Sequence, residues 1–113
     1  MNLNDKKFWT AANAVGVSSS ETLFHYHQQG QTITGTYSGG KIQEGYLLGK
    51  QVSEDQIEML YQCLTVEGQL LAGESKGRLS KNAEGLLEIR YAWNWLNGDQ
   101  SGGHSHYIEI QGD

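Results

Sequence analysis

Four histidines fall into two pairs, each with one residue between: His25 and His27 in TLFHYHQ, His104 and His106 in GHSHY. On an extended strand, residues two apart share a face about 7 Å from one another, at roughly 3.3 Å rise per residue. Such a pair can converge on one zinc ion, which takes three or four ligands at about 2 Å. The second pair is the nearest source of further nitrogens. If the chain closes into a barrel, the two pairs lie two strand spacings apart, about 9.5 Å, and both would have to lean inward. The plainer readings are rings that line a pocket and hydrogen-bond a ligand, or polar spots on an ordinary strand. No metal and no cofactor is expected on this evidence.

A second set of candidates is aromatic. In LLEIRYAWNWL, residues Leu87, Ile89, Tyr91, Trp93 and Trp95 share one parity, while Glu88, Arg90 and Asn94 share the other. A strand sends alternate side chains to opposite faces, so Tyr91, Trp93 and Trp95 form one line of large rings. That line is either a stacking wall for a flat or apolar ligand or filling for a core. Elsewhere the chemistry is sparse. Cys63 has no neighbouring base, and a lone buried thiol is usually a small hydrophobe. No Ser/His/Asp order carries a nucleophile elbow. An enzymatic alternative remains, a metal- or histidine-assisted hydrolase or isomerase using His25, His27 and Glu109.

The elements that would position these residues are short strands. Breakers cut the chain at 15–20, 29–31, 38–40, 50–55, 67–69, 80–85 and 97–103, leaving eight segments. Turn signals at about 8–12-residue spacing mark a sandwich or barrel. One segment conflicts. SEDQIEMLYQCL opens with Ser53 and Gln56 in a capping-box arrangement, and Ile57, Leu60, Tyr61 and Leu64 fall at helical spacing. Its strand reading puts Ile57, Met59, Tyr61 and Cys63 on one face and is preferred, since it keeps sequential hairpins paired. Gly35, Gly45, Gly49, Gly73 and Gly77 lie inside strands, where glycine permits a bend or a close approach.

An even number of hairpin-linked strands lets the last pair with the first, hiding both edges. The expected fold is therefore all-β, an eight-stranded antiparallel up-and-down barrel over residues 1–113 as a single domain, with a β-sandwich as the alternative. Eight strands enclose room for side chains or one small ligand. Leu47, Leu60 and Leu96 are expected to face outward, a patch that would suit a homodimer.

Composition narrows the partners. The net charge is −5 with no Lys/Arg cluster, so nucleic acid is not expected. No apolar run approaches the roughly 20 residues that span a bilayer, and the start lacks a signal-peptide core. One cysteine excludes an internal disulfide. A cytoplasmic protein without membrane partners is the expectation.

The segments FHYHQQG, YSGGKIQEGYLLG and WNWLNGD, in that order and spacing, resemble a family of small bacterial proteins often labelled N-acetylglutamate synthase. The resemblance spans Phe8 to Ile110 and implies a calycin- or avidin-like barrel. It implies no activity and carries over no catalytic residue. The label itself does not suit the residues: an acetyl-CoA enzyme of that kind cradles pyrophosphate with glycines opening a helix, whereas Gly39, Gly40, Gly102 and Gly103 sit in hairpin-like turns. The function expected is binding of a small apolar or aromatic ligand, with His25, His27, Tyr91, Trp93 and Trp95 lining the site; the alternatives are the enzyme above and a protein-interaction module.

Overall fold

In a computed structural model, which describes residues 2–13 and 18–110, the chain forms eight strands that close on themselves. They are β1 Lys6–Asn13, β2 Leu23–Gln29, β3 Thr32–Gly39, β4 Ile42–Ser53, β5 Gln56–Thr65, β6 Leu70–Lys81, β7 Leu87–Trp95 and β8 Gly102–Glu109. Each pairs antiparallel with its neighbours in sequence, and β8 completes the ring on β1, with Phe8 opposite Glu109 and Trp9 opposite Ile108. The barrel, not the sandwich, is the architecture, and closure gives every strand a neighbour on each side.

The segment with two readings is strand. Ser53 does not cap a helix; its Oγ donates to Asp55 Oδ1 at 3.2 Å and lies 3.4 Å from Gln56 Oε1, tying a tight reversal. Ile57, Met59 and Cys63 then point inward and are buried, with Tyr61 half-buried against the same core. The polar residues that resemble a helix start serve a turn.

Leu47 departs from expectation. It is buried, while Leu60 and Leu96 are exposed as anticipated. The cause is a register shift between Ile42 and Glu44 in the β4–β5 ladder. A bulge adds one residue to one strand and flips the parity beyond it, so Gly45 and Leu47 face in and Tyr46 and Leu48 face out.

The two ends of the barrel differ. The lower end carries the β2–β3, β4–β5 and β6–β7 turns and is filled by Phe8, Ile33, Ile57, Leu79 and Ile89, none more than 2 % exposed. Leu3, fully buried ahead of β1, completes this floor. Higher up, large rings lie across glycines of the adjacent strand. Tyr37 is opposite Gly45, Tyr61 opposite Gly73, and Tyr91 opposite Gly77. A Cβ built on those glycines would approach the facing ring to 2.5, 2.4 and 2.6 Å respectively. No real Cβ fits there, so the glycines are the floor on which the rings lie.

Replacing Gly45 by alanine forces the Tyr37 ring off its strand. The expected loss is about 1–3 kcal/mol, the usual cost of overpacking a filled core. Urea unfolding of Gly45→Ala and wild type checks this; a midpoint within error of wild type contradicts it.

Candidate functional site

Above the floor the lumen holds a cavity of about 50 Å³. Two hydroxyls separate it from the packed half. Tyr26 on β2 and Tyr91 on β7 reach across the barrel and meet Oη to Oη at 2.8 Å. Phe8 supports Tyr26 from below, edge-on at 5.3 Å.

The walls above this crossbar are aromatic. Phe24 stacks on Tyr37 at 4.8 Å, Trp93 meets Trp95 edge-on at 5.6 Å, and Tyr61 meets Trp95 at 5.4 Å. Each ring stands on the inward parity of its strand, so the pattern of β7 delivers Tyr91, Trp93 and Trp95 together. Three serines interrupt the rings. Ser105 Oγ accepts from Trp93 Nε1 at 2.7 Å, and Ser18 Oγ lies 3.4 Å from Tyr107 Oη. Tyr37 Oη donates to the Gln62 carbonyl at 3.1 Å. Ser75 Oγ and Tyr61 Oη also line the cavity and make no hydrogen bond among the described residues. Burial pushes the phenols of Tyr26, Tyr37, Tyr61, Tyr91 and Tyr107 above their ordinary range, so all five stay neutral. The chamber is uncharged and presents hydroxyls on an apolar wall.

The entrance is braced from one side. In the β3–β4 turn Gly39 has φ 112°, and a Cβ there would fall 2.1 Å from the Glu21 carbonyl oxygen. Thr22 Oγ1 donates to the Gly39 carbonyl at 3.0 Å and accepts from the Ser19 amide at 3.0 Å. This holds the chain entering β2 against the mouth, beside Ser18.

The histidines expected among the lining residues are elsewhere. On β2 the inward positions belong to Phe24 and Tyr26, so His25 and His27 lie on the outer face. Both parities of FHYHQ are aromatic; burial goes to the rings with the least polar surface, because a buried imidazole needs partners for its nitrogens. The two rings lean together, with centroids 4.4 Å apart, closer than plain strand geometry gives. His25 Nε2 lies 2.7 Å from Asp5 Oδ1. Glu109, grouped with them in the enzymatic alternative, belongs to the β8–β1 seam, where it pairs with Lys6 Nζ at 3.1 Å and accepts from the Leu87 amide at 2.9 Å. His104 is exposed, and His106 bonds Glu88, whose carboxyl it holds below its usual value. The two His pairs do not converge. Phe24, Tyr37, Tyr61 and Tyr107 are wall residues that the sequence reading passed over; the alternation within each strand carried the signal for them.

Tyr91→Phe leaves the Tyr26 hydroxyl buried without a partner, an expected cost of about 1–3 kcal/mol. Tyr26→Phe with Tyr91→Phe should lose less than the sum of the two single changes, because the orphaned group goes too. A double-mutant cycle from denaturant unfolding measures this; strict additivity would count against the crossbar.

Against known proteins, no curated protein and no solved structure matches the chain. The sequence model of one family, described as avidin-like protein, matches residues 1–110. That span includes all eight strands and every residue lining the cavity, and the closed eight-stranded barrel agrees with it. The chain belongs to the avidin-like family.

Proposed function

We propose that the barrel binds a small ligand by its upper end, through an apolar or aromatic tip that carries a hydrogen-bonding group. The observation that carries this reading is an uncharged cavity walled by stacked rings and hydroxyl-bearing side chains, of which Tyr61 and Ser75 make no side-chain hydrogen bond among the described residues. A ligand atom entering the chamber can hydrogen-bond to such hydroxyls, each worth about 0.5–1.5 kcal/mol. Membership of a barrel family suited to ligand binding agrees with it.

Size restricts the ligand. A dry cavity of about 150 Å³ accommodates benzene, whereas this chamber is about 50 Å³. The ligand therefore seats only its tip below the rim, and its body lies at the mouth beside Trp95 and Ser18. Neutral walls disfavour a fully charged tip, since an unpaired ion loses its hydration there.

Tryptophan emission reports occupancy, because Trp93 and Trp95 line the chamber while Trp9 stands on the outer face of β1. A screen of uncharged aromatic and heterocyclic metabolites should find saturable quenching or a blue shift. Tyr61→Phe should then weaken the hit by up to about tenfold, the worth of one hydrogen bond. Absence of any saturable response, with Trp93 and Trp95 indole resonances unmoved in NMR, defeats the proposal.

A second reading concerns self-association. Leu48 and Leu60 face each other across the β4–β5 ladder on the outer wall, 58 % and 56 % exposed. Such a pair suits an isologous contact between two copies. Light scattering should give twice the 12.5 kDa chain mass, reverting to the single mass in Leu48→Glu/Leu60→Glu; a single mass for wild type at high concentration excludes it.

A further inference from the structure

The outer face of β2 carries a second constellation, unconnected with the chamber. Asp5, His25 and His27 each offer a ligand atom, and these atoms lie within 4.8 Å of one another. The histidines project side by side because they share the outward parity of β2, with Thr36 and Thr34 opposite them on β3.

The third group arrives from the turn before β1, and that turn is fixed. The β1–β2 ladder ends at Lys6 opposite Tyr26. Beyond it, side chains continue the pairing. The Gln28 amide donates to Asn4 Oδ1 at 3.0 Å, and the Leu3 amide donates to Gln28 Oε1 at 2.9 Å. The Lys6 amide donates to the Leu3 carbonyl at 3.1 Å, and Leu3 itself is buried in the floor. Asp5 sits between these anchors at φ 57°, a left-handed conformation that few non-glycine residues adopt. The result is a carboxylate held 2.7 Å from His25 Nε2 rather than swinging in solvent.

We infer that Asp5, His25 and His27 bind one divalent transition-metal ion of the zinc, copper or nickel class. Two imidazoles with one carboxylate suit these ions, whereas calcium and magnesium take oxygen donors. Metal–ligand lengths near 2.0–2.2 Å put tetrahedral ligand atoms about 3.3 Å apart. The present spacing closes to that by rotation of the exposed His27 ring, with the metal taking the place of the Asp5–His25 hydrogen bond. Three protein ligands leave the remaining position to water. Lys7, opposite His25 in the ladder, is the neighbouring cation; it is exposed and free to extend into solvent. The ion would clip the N-terminal turn to β2.

The test uses tag-free protein freed of metal by chelation and titrated with Zn²⁺ by calorimetry and with Co²⁺ by visible absorption. One saturable site per chain is expected, with the intense Co²⁺ bands of low coordination number. Asp5→Ala and His27→Ala should each weaken binding at least about tenfold, no less than loss of an outer-sphere partner costs. His104→Ala should leave it unchanged, since that ring is exposed on another strand. All three are surface positions, and unaltered tryptophan emission verifies folding. No stoichiometric binding of either ion, or binding indifferent to both Asp5→Ala and His27→Ala, overturns the inference.

Discussion

A phenol ring lying flat over the backbone of the next strand is the contact on which the upper barrel depends. Three such pairs recur, Tyr37 on Gly45, Tyr61 on Gly73 and Tyr91 on Gly77. Each lets a side chain too large for an eight-stranded interior tilt sideways instead of meeting its counterpart at the axis. The space kept at the centre is the chamber. Glycine in a strand interior is normally a weakness; here the lost side chain is replaced by a neighbour's ring. The tilt also sets where the hydroxyls end up, sending Tyr91 to meet Tyr26 and leaving Tyr61 facing the cavity.

Much of the fold is legible from alternation and punctuation. The strict parity of LLEIRYAWNWL places β7 with its rings inward, and the seven turn clusters mark the connections, the first of which lies partly outside the described residues. Two features were not legible for definite reasons. Leu47 changes face because of a bulge near Ile42, and nothing in IQEGYLL distinguishes a bulge from regular pairing. The Tyr–Gly contacts join different strands, so they follow from register, which no single segment encodes.

The candidate site residues divide in the same way. Tyr91, Trp93 and Trp95 were found together because they sit on one strand with an unambiguous apolar parity. His25 and His27 were misassigned to the lining because both faces of FHYHQ are ring-bearing, and only the closed barrel decides between them in favour of Phe24 and Tyr26. Asp5 could not be associated with the pair at all. It stands 20 residues from His25 in sequence, in a turn whose placement depends on Leu3 entering the floor and on Gln28 accepting its amide.

The Tyr26–Tyr91 crossbar divides the interior into a storey that holds the molecule together and a storey that faces the outside. Packing below, of Phe8 with Ile33, Ile57, Leu79 and Ile89, contributes cohesion independently of the chamber above. Of the wall residues above, Tyr61 and Trp95 still pack with the core, whereas the small Ser75 adds little to that cohesion. In an architecture partitioned this way, the lining of the upper storey can change one position at a time while the foundation stays constant.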